Sequence, residues 1–305
     1  METRIIFMGS PEFALPTLKA LATNYNVVGV VTQPDRPAGR GRGLKAPAVK
    51  KLAVDLGLSV IQPRRLKEPE AMQQLRRWDP DLIVVTAFGQ ILRPEILDLP
   101  PYGCLNVHGS LLPRWRGAAP IHAAILHGEK HTGITIMKMD PGLDTGPILS
   151  QESIPISPND TTGSLTPRLA GLGAALLIQT IPGYLAGDIK PEPQDESLAT
   201  YAPMIKKPEA ELDFDQPADS LERRVRAFNP WPGAYTTWGG NILKIHRAHT
   251  AQSSAIKPGE TKIHEGLPAF GTADGILVID ELQPAGKKAM PGRVFLHGAK
   301  DWVLD

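Results

Sequence analysis

At 305 residues the chain exceeds one typical domain, and its 42% hydrophobic content, with Gly and Pro following no repeating period, excludes a fibre or an unfolded protein. A net charge of +1 gives no global nucleic-acid footprint, so any RNA binding must use local patches. One cysteine excludes an internal disulfide, and the amino-terminal apolar run is too short for a signal sequence; with no apolar run judged of bilayer length, a cytoplasmic protein without membrane contact is expected.

Arg4 to Met8 reads as a first strand, followed by a Gly9-Ser10-Pro11 turn and a helical pattern through Phe13, Leu15, Leu18 and Leu21. The turn lacks G-x-G-x-x-G, and Glu12 puts negative charge where a phosphate would sit, so no dinucleotide site is expected. Asn26 to Thr32 is a continuous apolar strand of the parallel-sheet kind. The next stretch, Gln33 to Pro47, is so rich in Pro and Gly that it reads as irregular. It carries Arg36, Arg40, Arg42 and Lys45 against one acid, Asp35; such a loop is either a solvated surface or a mould for phosphates. Ala48 to Leu56 reads as a helix, Leu58 to Gln62 as a strand, Pro69 to Trp78 as a helix and Asp81 to Ala87 as a fourth strand.

Cys104 to Val107 is a short buried strand, with Cys104 as a small core residue. Asn106 and His108 lie two apart, so both project to one side of it, at the carboxyl end where α/β sheets take ligands. An Asn amide donates and an imidazole donates, accepts or carries charge, which suits an oxyanion forming on a carbonyl and suggests acyl transfer. The same pair also fits a strand end capped by Asn with a His bonded to backbone. Ile121 to His127 reads as a helix. His122, His127 and His131 do not make a metal site, because the order is not His-Glu-x-x-His and His122 lies off the helical face of the other two. Gly133 to Met139 is a strand, Asp140 to Gly146 a loop, and Ile148 to Pro155 an extended segment.

Asp160-Thr161-Thr162 caps a long helix with Leu165, Leu169, Leu172, Leu176, Leu177, Ile181 and Leu185 on its pattern, ending at Gly187. Alternating strands and helices therefore predict a doubly wound, Rossmann-like α/β domain over residues 1–188. Residues 189–208 are polar and proline-rich, as an exposed linker should be, and end in the positive pair Lys206 and Lys207. Residues 209–305 carry a helix, Asp219 to Ala227, and strand-like runs at Tyr235–Trp238, Ile242–Ile245, Ala269–Thr272, Ile276–Ile279 and Val294–Leu296, predicting a small OB-like β-barrel.

Longer strings narrow the function. Asn106-Val107-His108-Gly109-Ser110-Leu111-Leu112-Pro113, followed by Arg114-Trp115-Arg116-Gly117-Ala118-Ala119-Pro120-Ile121, resembles the signature of the 10-formyltetrahydrofolate-dependent formyltransferases. Met139 to Ile148 resembles that family's Asp-x-Gly-x-Asp-x-Gly loop, and Thr32 to Gly41 and Arg226 to Pro232 extend the likeness over essentially the whole chain. Within the family, the His-Gly-Ser and Arg-Gly-Ala-Ala-Pro-Ile forms are similar to members that act on methionyl-tRNA.

The resemblance implies formyl transfer from 10-formyltetrahydrofolate to the α-amino group of methionine on initiator tRNA, a reaction whose chemistry calls for no metal; with no heptads and no evident exposed apolar stripe in the sequence, a monomer is the default expectation. Asn106, His108 and Asp144 become the catalytic set, with Asp144 orienting His108, stabilising its charged form or accepting a proton through water. Ser110, Leu111, Leu112 and Pro113 frame the folate, and Phe88, Gly89, Ile91 and Leu92 lie along its pterin, although Ile91 and Leu92 also read as plain core. Asp140 is a loop former that can contact the pterin. Arg36, Arg40, Arg42, Lys206 and Lys207 are the tRNA-binding candidates, and each also reads as ordinary surface charge. The competing readings are an amino sugar nucleotide as acceptor, and a non-catalytic RNA-binding module.

Overall fold

Apolar runs fold as fully buried strands when both faces of their sheet are covered, and the first part of the chain is built on seven strands. The computed structural model describes residues 2–38, 43–253 and 256–303. The strand order is Ile148–Pro155, His131–Lys138, Cys104–His108, Leu82–Thr86, Arg4–Gly9, Asn26–Val31, Val60–Ile61. The five strands from Cys104–His108 to Val60–Ile61 run parallel, whereas Cys104–His108 and His131–Lys138 pair antiparallel, so the sheet is mixed at one edge. Chain order reverses between Arg4–Gly9 and Leu82–Thr86. The carboxyl ends of the strands at such a switch point are where open α/β sheets receive ligands.

Two compact units divide the chain: Met1–Gly117, Thr132–Ile154 and Thr166–Tyr201 form one, and Ala118–His131, Pro155–Leu165 and Ala202–Asp305 the other. In the first, the core holds Ile6, Met8, Ile83, Val85, Phe88, Leu92 and Cys104 under the helix Pro69–Trp78. Burial pushes the Cys104 thiol up to about 12, with the Asp98 charge adding to it, which makes it a core residue rather than a nucleophile.

The helix Thr162–Ala186 begins with a reciprocal cap, Ser164 N–H donating to Thr161 Oγ1 (3.1 Å) and Thr161 N–H to Ser164 Oγ (3.0 Å). With 25 residues and an 18-residue stretch of mean hydropathy 1.5, it is long and apolar enough to cross a membrane by length and composition, against the expectation of no such run. Its length was predicted from the leucine spacing, but the small and polar residues between the leucines kept it from reading as an apolar run. In this structure its Leu169, Leu177 and Ile181 are buried, and a Cβ on Gly173 would stand 2.7 Å from Val107, so the glycine lets the helix lie close on the Cys104–His108 strand.

Gln33 to Pro47, expected to be irregular, contains a short antiparallel pair, Arg36–Ala38 with Gly43–Lys45, in the register Arg36 to Lys45 and Pro37 to Leu44. Proline is tolerated there because a two-stranded ribbon is all edge. At its base, Lys50 (2.8 Å) and Gln62 (2.7 Å) bind Asp35, and these hydrogen bonds, Gln62 first, hold the Asp35 carboxyl below the usual range.

The second unit holds an antiparallel half-barrel in the order Tyr235–Trp238, Asn241–Ala251, Ile276–Pro284, Leu267–Gly271, Thr261–His264, with Met290–Pro291 also against Ile276–Pro284. Val294–Leu296, expected as a strand, lies in the helix Gly292–Leu296. Pro291 sets up the helix start, and Phe295 turns inward onto Trp238 and Trp302 while Val294 faces out. The strand Thr261–His264 was not anticipated, because one isoleucine among polar residues makes no clear alternation.

Candidate active site

The strand Cys104–His108 is buried throughout, and its Val107 faces the Thr162–Ala186 helix, so Asn106 and His108 face the other side. Asp144 joins them from the loop before Ile148–Pro155. Asn106 Nδ2 donates to Asp144 Oδ1 (3.4 Å), Gly117 N–H donates to Oδ2 (2.8 Å), and His108 Nδ1 stands 3.7 Å from Oδ2. Only 6% of the His108 side chain and 14% of that of Asp144 is exposed, so their interaction is little screened. The alternative reading holds for the backbone bond of His108, whose Nε2 meets the Trp115 carbonyl, but does not account for a carboxylate brought to both side chains.

The other imidazole nitrogen settles the tautomer. His108 Nε2 meets the Trp115 carbonyl at 3.0 Å, and a carbonyl only accepts, so Nε2 carries a proton. In the neutral ring Nδ1 then presents a lone pair, which makes it the nitrogen free to take a proton. Once protonated, it faces the Asp144 carboxylate as a cation facing an anion.

The turn after the strand is held by Ser110 and by two residues the sequence reading did not assign, Thr135 and Gln151. Ser110 is buried and donates to the Arg114 carbonyl (2.6 Å). Thr135, opposite His108 in the sheet register, donates to the Ser110 carbonyl (2.7 Å) and accepts from Leu112 N–H (3.0 Å). Gln151 Nε2 donates to the Leu112 carbonyl and to Thr135 Oγ1, both at 2.8 Å. Leu112 is buried, and Leu111 and Pro113 are half-buried. A Thr and a Gln on neighbouring strands carry no spacing signal, so only the strand register reveals them.

Phe88, Gly89, Ile91 and Leu92 leave the carboxyl end of Leu82–Thr86, whose Val85 pairs with Asn106. They divide: Phe88 and Leu92 lie in the core, Gly89 takes a φ of +80°, and Ile91 is 83% exposed, so plain core burial is corrected for Ile91. The Phe88 carbonyl accepts from Gln33 Nε2 at 3.1 Å. Asp140 shapes its loop by accepting from Thr145 Oγ1 (2.7 Å) and Gly142 N–H (3.0 Å).

Among the cationic candidates, Arg36 is exposed and donates to Gln33 Oε1 (3.2 Å), and Lys206 and Lys207 are exposed. Arg40 and Arg42 lie outside the described residues. Among the described residues no group of three His, Cys, Asp or Glu side chains could hold a metal ion; His127 Nδ1 instead meets the Ala123 carbonyl of its own helix and His122 Nε2 that of Trp231.

Residues 3–181 match the formyl transferase family, and residues 204–300 match the family's C-terminal domain. The chain is 50% identical over 299 residues to the methionyl-tRNA formyltransferase of Myxococcus xanthus, covering 97% of this chain and 95% of that one. It is 47% identical over 305 residues to the enzyme of that name from Pseudoalteromonas translucida, covering 98% and 95%. Its fold is similar to the solved methionyl-tRNA formyltransferase from Clostridium thermocellum, with a TM-score of 0.56 at 19% identity over 91% of this chain and 99% of that one. A two-part match spanning both units, with full-length relatives at about half identity, leads to one conclusion: the chain belongs to the formyl transferase family, in its methionyl-tRNA formyltransferase branch.

Proposed function

We propose that the chain transfers the formyl group of 10-formyltetrahydrofolate to the α-amino group of methionine on initiator tRNA, using Asn106, His108 and Asp144. The observation that carries the site is the meeting of Asn106 and His108, toward the carboxyl end of one strand, with Asp144 from the loop before Ile148–Pro155. Attack by the neutral amine puts negative charge on the formyl oxygen and positive charge on nitrogen. Asn106 has one amide N–H turned to Asp144 and a second left to donate to the oxyanion. His108 Nδ1 takes the proton that the attacking nitrogen sheds and returns it to the departing N10, while the Trp115 carbonyl keeps Nε2 out of the exchange. Asp144 stabilises the transient imidazolium and keeps it oriented.

The folate fits the residues present. The Ser110–Pro113 turn has its buried polar groups satisfied by Arg114, Thr135 and Gln151 and leaves Leu111 and Pro113 half-open, and Ile91 offers an exposed apolar side chain at the neighbouring strand end. Phe88, Gly89 and Leu92 supply backbone and support along the pterin, with Asp140 holding the adjoining loop. Formyl transfer changes no oxidation state, so no metal is called upon. Arg36, Arg40, Arg42, Lys206 and Lys207 contact the tRNA, residues 1–188 form the catalytic domain, and residues 209–305 beyond the 189–208 segment assist tRNA binding. The enzyme works in the cytoplasm as a monomer without a membrane.

The deciding experiment measures formyl transfer from 10-formyltetrahydrofolate to Met-tRNA for the native chain, Asn106→Ala and Asp144→Ala at matched folding. Native activity that falls about a hundredfold or more in both variants supports reaction and site together. Folate binding without formylation of Met-tRNA rejects the acceptor.

A further inference from the structure

We propose that residues 189–201, a polar stretch with the composition of a linker, form a strap that holds the site in register, with Gln194 and Thr200 as its positioning residues. The proposal rests on Asn106, His108 and Asp144 being the catalytic set. Three attachments carry it. Glu192 exchanges two backbone hydrogen bonds with Ile148 (2.7 and 2.8 Å), just after the Asp144 loop. Gln194 Nε2 donates to the carbonyls of Asp144 (2.8 Å) and Gly146 (2.7 Å). Thr200 Oγ1 accepts from Trp115 N–H and the Thr200 carbonyl from Arg116 N–H, both at 2.9 Å.

These attachments reach both acid–base groups. Asp144 is held directly, and Trp115 is the residue whose carbonyl takes the His108 Nε2 proton. Asp144 and Trp115 also have φ of +53° and +63°, left-handed backbone that a side chain makes unfavourable. Such backbone persists where its surroundings over-determine it, and it clusters at functional sites. The orientation of Gln194 is itself enforced. The buried Arg116 guanidinium binds Glu196 through two nitrogens (2.9 and 2.7 Å) and donates to Gln194 Oε1 from Nε and Nη2 (3.1 and 2.8 Å). A guanidinium only donates, so it must face the amide oxygen, which turns the amide nitrogen to the loop carbonyls.

Gln194→Met keeps the side-chain length and removes both donations. The expected result is a fall in kcat of about 10- to 100-fold at saturating 10-formyltetrahydrofolate and Met-tRNA, with KM for each held within about threefold. In an Asp144→Ala background the same substitution is expected to cause no further fall, because the group it positions is gone. A merely structural role would multiply the loss in both backgrounds. Thr200→Val tests the other limb by the same criteria against His108→Ala, and decides the matter if Gln194→Met does not fold. Retention of kcat within about threefold, or a loss undiminished in the Asp144→Ala background, overturns the proposal. Native activity in Asp144→Ala alone would overturn the catalytic assignment first, without any change in the strap, and the proposal with it.

Discussion

The two units differ in what they bury beside their aliphatic cores. The first draws Asn106, His108, Ser110, Arg116 and Thr135 inside and joins them to one another or to backbone. The second packs Trp238, Phe270, Phe295 and Trp302 together, with ring centroids 5.0 to 5.4 Å apart where they meet Trp302, and leaves Lys206 and Lys207 exposed. Buried polar groups are costly unless every one is satisfied, so they are kept where chemistry needs donors fixed in a low-dielectric site. An aromatic core has no such demand beyond the Trp302 indole N–H, which donates to the Lys262 carbonyl at 2.9 Å, and it serves as a stable carrier for surface charge.

If that contrast is right, the largest effect belongs to the aromatic cluster: Trp302→Ala is expected to cost ~3–5 kcal/mol in denaturant unfolding. A cost below about 1 kcal/mol would mean that the cluster is not the core of its unit. In the polar core the loss is instead in rate: Asn106→Ala is expected to lose ~3 kcal/mol of transition-state stabilisation with little change in the unfolding midpoint. A large fall in stability with native kcat would reverse the assignment of this strand from chemistry to packing.

Exposed charge predicts a third, milder response. Replacing Arg36, Lys206 and Lys207 by Ser is expected to weaken tRNA binding and to lower the slope of log affinity against log salt by about one for each phosphate that is no longer neutralised, with kcat at saturation unchanged. The same replacement at Arg40 and Arg42 tests the remaining pair; an unaltered slope would remove them from the tRNA face.

The smallest effect is a pH dependence. The Arg116 hydrogen bonds hold the Glu196 carboxyl below its usual range, chiefly through the side-chain bond and further through its charge. A group with a depressed folded-state value contributes stability that is present above its unfolded value and is lost as pH falls through the folded one. Glu196→Gln is therefore expected to flatten the decline of Tm with acid below about pH 4, and an unchanged decline would mean that the strap's ion pair does not hold in solution.

Much of this architecture is written locally. Continuous apolar runs announced the parallel strands, the helix Pro69–Trp78 was predicted to the residue, and the two-residue spacing of Asn106 and His108 put them on one side of their strand. These follow from side-chain periodicity and turn chemistry, which a short window contains. Local reading failed where composition misled. Proline in Gln33 to Pro47 concealed a hairpin, small and polar residues kept the Thr162–Ala186 helix from reading as an apolar run of bilayer length, and an apolar triplet at Val294–Leu296 looked like strand.

What the chain alone could say, then, was which residues to propose for the chemistry: the Asn, the His and the Asp were named from their strings. How they are held was decided by the fold. Asn106 meets Asp144 across 38 residues, and Gln194 reaches back across 50 to the Asp144 carbonyl. Thr135 supports the turn only because the strand register sets it opposite His108. Partners so far apart leave no spacing to read, because the distance between them is fixed by the order of strands in the sheet rather than by any local pattern.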